Sequence, residues 1–315
     1  MVESLNDSTL KPLSESILRT LLYYDIFNYP LKAEEIHRFL PTNHVTARAI
    51  EYELEEMSSK GYLFQFGDLY SLQNNEAWAT RRLKGNSEAD KLLAVARKKG
   101  KFISSFPFVR GVLASGSLSK GYMDENSDLD FFIITKPGRL WIARMILVLY
   151  KRIFLFNSHK YFCVNYFIDT DHLEIEEKNL FTATELATVI PLCDVDLYAK
   201  LHQKNLWLRN FFPNFKLRPI DETTDTSNGI IKRAIEYIID HAGVNWWENY
   251  CMKLSLKRWE NLYQKQYTQD DFDVAFKTKK YSSKNHPNHY QRKVIELYRQ
   301  KMEGFSKKFN ISWKA

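Results

Sequence analysis

The stretch that decides the fold runs from Phe108 to Thr135, FVRGVLASGSLSKGYMDENSDLDFFIIT. It reads as a short apolar strand (Val112 to Ala114), a small-residue turn (Ser115-Gly116-Ser117), a polar loop, and a second strand. That strand opens on two carboxylates, Asp128 and Asp130, and continues as Phe131 to Ile134. Side chains alternate faces along a strand, so Asp128 and Asp130 point the same way while Leu129 points into the core. Two adjacent carboxylates repel unless a cation lies between them. Mg²⁺ suits this role, because hard cations choose carboxylate oxygens and hold substrate phosphates as well. Glycine lets the backbone come close to a phosphate, and the Ser117 hydroxyl with nearby N–H groups can donate to it.

A Gly-Ser turn, ten residues, then Asp128-Leu129-Asp130 at the head of an apolar strand resembles the DNA polymerase β-like nucleotidyltransferase superfamily. The resemblance implies a mixed sheet flanked by helices. It also implies Mg²⁺ (or Mn²⁺) bound by Asp128 and Asp130, and an NTP, with ATP the first expectation, whose triphosphate lies on Gly116, Ser117 and Lys120. In that family two metal ions activate an acceptor hydroxyl and stabilise the leaving pyrophosphate. The acceptors include small molecules, proteins, RNA ends and other nucleotides. The motif spans about 25 residues, and the flanks lie outside the match.

Working outward, the helix Arg139 to Phe156 is followed by HKYFCVNYFIDTDHLEI, whose apolar run reads as the next strand. By alternation Asn165, Phe167 and Asp169 share one face. The family pattern puts a third metal-binding carboxylate mid-strand, where this chain has Asn165. Asp169, nearer the strand end, is the expected third ligand and catalytic residue, ahead of Asp171 and Glu174. If Asn165 holds the third position instead, the second metal is weakened and the general base is missing. The rival expectation is therefore a regulatory or interaction protein that keeps the fold without efficient chemistry.

Residues 1–80 read as helix, helix, helix and hairpin, an order that resembles a winged-helix domain. Ser14 is the expected cap of SESILRTLLYYDIF, Lys32 to Leu40 the second helix, and Thr42 or Asn43 the cap of the third. A hairpin turns at Gly67-Asp68. The third helix carries Glu51, Glu53, Glu55 and Glu56 against Arg48 and Lys60. These acids would repel DNA phosphates, so a protein partner is expected here before duplex DNA. Residues 76 to 100 read as a linking helix.

From Phe181 the chain reads as mainly helical, with Ile230 to Tyr263 as one helix in which Trp246, Trp247 and Trp259 are packing elements. The segment FKTKKYSSKNHPNHYQRK, with Lys277, Lys279, Lys280, Lys284, Arg292 and Lys293, is either a solvated basic loop or a phosphate contact facing the metal site. His286 and His289 lack the companions of a metal site. The expected architecture is α+β: a winged-helix-like domain (1–80), a nucleotidyltransferase domain (81–180) and a helical domain (181–315).

Composition limits the alternatives. The chain has 315 residues, 44% hydrophobic and 26% charged, which argues against disorder. The net charge of +7 is unevenly spread: residues 1–80 hold 6 Lys/Arg against 12 Asp/Glu, residues 81–180 hold 17 against 11, and residues 181–315 hold 22 against 15. Cys163, Cys193 and Cys251 suggest neither a disulfide framework nor a zinc site, which fits a reducing cytoplasm. The first residues do not read as a signal peptide, and Leu140 to Phe156 is interrupted by Arg144, Lys151 and Arg152, so no membrane association is expected.

Overall fold

A computed structural model describes residues 10–156, 160–219, 229–241, 244–285 and 290–313. The chain opens with α1 (Pro12–Asp25), β1 (Leu31–Lys32), α2 (Ala33–Arg38), α3 (Ala47–Ser59), β2 (Phe64–Phe66) and β3 (Leu69–Ser71). Ser14 does not cap α1. The helix starts two residues earlier with proline in its first turn, and Ser14 is buried against Glu53 of α3, to which its hydroxyl donates. The cap of α3 is Thr46, later than expected, accepting from Ala49 N. β1 was not anticipated: two residues are too few for periodicity, yet they add a third strand to the hairpin in the order β1-β3-β2.

The 29-residue α4 (Glu76–Ser104) then leads into β4 (Val109–Ser115), α5 (Gly116–Ser119), β5 (Asp130–Thr135), α6 (Leu140–Phe154), β6 (Cys163–Asp169), α7 (Leu180–Thr188), β7 (Ile190–Cys193) and α8 (Val195–Lys204). The remainder holds α9 (Ile230–His241), α10 (Val244–Tyr263), α11 (Gln269–Ala275), β8 (Thr278–Lys279), β9 (Ser282–Lys284) and α12 (Tyr290–Phe309). Six strands form a mixed sheet in the order β7-β4-β5-β6-β9-β8, with β5 and β6 parallel and the other pairs antiparallel. The protein is thus α+β, a mixed sheet flanked by helices.

The two faces of the sheet carry different cores. Val112, Ala114, Phe131, Ile133 and Phe167 pack with Trp141, Leu147 and Trp259 of α6 and α10. Leu113, Phe132, Ile134 and Ile168 pack with Leu186, Leu197 and Leu201 of α7 and α8. A third core joins α1 and α3 to Phe181 and Ala187 of α7 and to Val294 and Phe305 of α12. Residues 181–315 therefore do not stand apart as a helical unit: they supply β7, β8 and β9 to the sheet and α12 to the N-terminal core. Pro191 sits in β7, an edge strand, where the missing N–H costs no ladder bond.

The stretch expected as one helix from Ile230 to Tyr263 is described as α9 and α10. Trp259 is buried as expected, but Trp246 and Trp247 are 62% and 50% exposed. No helix among the described residues is long and apolar enough to cross a membrane. The three cysteines form no disulfide and are buried.

Candidate active site

Strand alternation places Asp130 and Phe132 of β5 on the face that looks towards α7. Above that face lies a cavity of about 770 Å³, lined by Ser115, Gly116, Ser117, Lys120, Asp128 and Asp130 from the central motif. Tyr23, Tyr24 and Tyr29 of the N-terminal segment close it from above, and Lys284 and Asn285 border it beyond β6. A volume of this order is typical of small-molecule sites.

Gly116 is indispensable to this geometry. It takes φ +64°, and a Cβ there would run into Oδ2 of Asp130, its cross-strand neighbour through Ser115. The turn is braced from behind, because Ser119 Oγ and Lys120 Nζ both donate to the Gly116 carbonyl, at 2.8 and 3.1 Å. Lys120 also pairs with Glu185 of α7 at 2.7 Å. The N-terminal segment is fastened to the same loop: Tyr29 Oη donates to the Lys120 carbonyl at 3.1 Å, and the Asn86 amide donates to the Gly121 carbonyl.

Burial pushes the Asp130 carboxyl up to about 6; a hydrogen bond from the Cys163 thiol opposes the rise, and the neighbouring Asp128 charge adds to it. Burial likewise pushes the Cys163 thiol up to about 12, which keeps it a neutral donor. A carboxylate held so reluctantly ionised beside a second one is relieved by any cation placed between them.

Asn165 lines the same cavity beside Asp130. The register between β5 and β6 slips between Phe131 and Phe132, so that Val164 and Tyr166 are paired and Asn165 is the extra residue. The bulge breaks the alternation expected from sequence and swings Asn165 onto the cavity side, where its Nδ2 donates to Asp130 Oδ1 at 3.0 Å. Asp169 does not come near. It pairs with Thr135 at the other end of the parallel strands, about 17 Å along the sheet from Asp130. There it is buried and accepts from the backbone N–H groups of Asp171 and His172 and from His172 Nδ1 at 2.7 Å, a strand-ending turn. Asp171 and Glu174 are exposed, and Glu174 pairs with Lys178. Asp169, expected as the third metal ligand, is thus not among the residues lining the cavity that Asp128 and Asp130 share.

No family model, curated protein or solved structure matches this chain.

The basic segment is sorted by its contacts. Lys277 pairs with Glu176 and Glu177, Lys279 with Glu176, and Arg292 with Asp271. Lys284 alone of these lines the cavity. His286 and His289 lie outside the described residues. Sequence reasoning missed Tyr23, Tyr24, Tyr29, Glu185 and Asn285. The run Tyr23, Tyr24, Phe27, Tyr29 offered the one signal, being more hydroxylated than the core of a small helix requires.

Among the described residues no group of three or more His, Cys, Asp or Glu side chains is gathered to hold a metal. The donors at hand are two carboxylates and the neutral Asn165. That set suits one divalent cation completed by substrate phosphate oxygens, and a second cation would lack its third carboxylate.

Proposed function

We propose that the chain is a Mg²⁺-dependent nucleotidyltransferase acting on ATP or another NTP. The observation that carries this reading is the convergence of Asp128, Asp130 and the Gly116-Ser117 turn on one cavity, with Gly116 pressed against Asp130 so closely that no side chain fits between them. Asp128 and Asp130 would hold the cation; Ser117 and the backbone at Gly116 would hold the triphosphate. Lys120 is ion-paired with Glu185, so its part is to brace the turn and to add positive charge at the tail. When bound, Mg²⁺ supplies charge neutralisation at the reacting phosphate and a site for the attacking oxygen. The acceptor hydroxyl oxygen bonds to the α-phosphorus as the α–β bridging bond breaks. Pyrophosphate leaves, and the hydroxyl proton passes to water.

The N-terminal order helix, strand, helix, helix, strand, strand resembles a winged helix. Its third helix is acidic, with Glu56 paired to Lys11 and Lys60, so it is suited to a protein partner rather than DNA. A cytoplasmic enzyme fits three cysteines without a disulfide.

One observation favours a second reading, a nucleotidyltransferase fold kept for regulation: Asn165 stands beside Asp130 and cannot accept a proton there. Incubation of the protein with each labelled NTP, Mg²⁺ and a cell extract should release pyrophosphate and label an acceptor, and Asp128→Asn should abolish both. Nucleotide binding without label transfer, together with unchanged cellular function in Asp128→Asn, would replace the first reading by the second.

A further inference from the structure

Lys284 is an unusual residue for the edge of a sheet. It is 8% exposed, yet its ammonium has one described partner, the neutral Oε1 of Gln291 at 2.9 Å, and no ion pair among the described residues. The carboxylates nearest in effect are already engaged: Glu177 with Lys277 at 3.0 Å and Glu185 with Lys120 at 2.7 Å. Lys284 lines both the main cavity and a recess of about 30 Å³. Burying a charge without a counter-charge is costly, and such a group calls for an anion. The buried Oδ1 of Asn285, on the same cavity wall, has no hydrogen-bond partner among the described residues and is an acceptor suited to a hydroxyl donor beside the anion.

Register fixes where that anion would sit. Asp130 and Phe132 share a face of β5; Phe132 pairs with Tyr166, their rings 4.8 Å apart; and Tyr166 pairs with Lys284. Lys284 is therefore on the face that carries Asp130, two strands across and two residues along, about 12 Å away. The Gly116-Ser117 turn lies on the opposite side of Asp130, at the end of β4. In an in-line displacement the leaving group and the attacking hydroxyl stand on opposite sides of the transferred phosphorus.

We infer that Lys284 binds an anionic group of the acceptor, so that the acceptor is a small molecule carrying a phosphate or carboxylate as well as its reactive hydroxyl. This rests on the nucleotidyl-transfer reading. A cavity of about 770 Å³ is matched to a nucleotide and a small second substrate.

The test uses inorganic phosphate as the probe, titrated calorimetrically into the full chain saturated with Mg²⁺ and α,β-methylene ATP. Phosphate should bind alongside the nucleotide. Lys284→Gln should weaken phosphate tenfold or more while leaving nucleotide affinity within twofold, and Lys284→Arg should keep both; thermal melts of the variants establish that they are folded. The inference is overturned if phosphate competes with the nucleotide and Lys284→Gln weakens the nucleotide tenfold, since the lysine then serves the triphosphate tail. It is overturned equally if Lys284→Gln changes neither ligand. Absence of nucleotide binding in the unmodified protein would instead remove the reading on which the inference stands.

Discussion

At the scale of single residues, the site stores unfavourable charge. Asp130 gives up its proton near pH 4 in an unfolded chain and near 6 in the folded one, so between these values the folded state holds the extra proton. Stability from this group falls as pH rises from 4 to 6, and the penalty persists above 6. His202 works in the opposite direction. Burial pulls its imidazole down to about 4, and neither ring nitrogen has a hydrogen-bond partner among the described residues where it stacks on Phe215 at 5.2 Å. Here the unfolded chain binds the extra proton between pH 4 and 6.5, so stability rises with pH over that window. The two slopes offset each other in the native protein. Asp130→Asn should remove one of them, stabilising the metal-free protein at neutral pH by about 1–2 kcal/mol after allowance for solvent screening. Urea titrations from pH 4 to 8 should then show stability climbing towards neutrality. An unchanged profile would mean that Asp130 is not desolvated. The same substitution should abolish pyrophosphate release.

At the scale of elements, α9 is the helix whose sequence misleads. Its apolar residues Ile230, Ile231, Tyr237 and Ile238 are exposed. The inward stripe is Lys232, Glu236 and Asp240, at intervals of four. Lys232 donates to the carbonyls of Ser104 and Val109, both at 2.8 Å. Glu236 accepts from the Phe108 N–H and from both terminal nitrogens of Arg110, and Asp240 pairs with Lys136 and Arg139 at 2.6 Å. Glu236→Ala leaves the Arg110 guanidinium without this carboxylate and the Phe108 N–H without an acceptor, which should cost about 1.5–3 kcal/mol. Amide exchange should accelerate across α9 and leave α1 unaffected; uniform acceleration would show that α9 is not an independent opening unit. The same comparison shows what sequence can carry. The Phe108 to Thr135 motif was legible because turn, loop and strand are contiguous; Asp128 and Asp130 line one cavity, although β5 begins only at Asp130. Asn165 was legible as a residue but not as a contact, because its placement depends on a bulge. β7, β8 and β9 escaped because strands of two to four residues have no periodicity of their own and are defined by the partners they find.

At the scale of the whole molecule, the N-terminal segment is a wall of the cavity as well as a neighbour of the sheet. Tyr29 touches the loop of Lys120, Arg38 donates to the Ala187 carbonyl at 2.9 Å, and buried Arg82 of α4 pairs with Glu35 at 2.7 Å. The core under α1 is completed by Phe181, Val294 and Phe305, far along the chain. A fragment of residues 10–75 should therefore lack a cooperative thermal transition, whereas a free-standing DNA-reading unit would melt sharply. Circular dichroism of the fragment decides between these outcomes.

The pairing of β6 with β9 also has a consequence for biosynthesis. The ribosome releases β4, β5 and β6 well before residues 282–284, so for more than 100 residues of elongation the edge of β6 has no strand beside it. An open edge in a half-made sheet recruits other strands, and the nascent chain is exposed to that hazard until its last third emerges. The cavity is likewise completed late: Lys284 and Asn285 take their place on its wall only when synthesis has nearly reached the end of the chain.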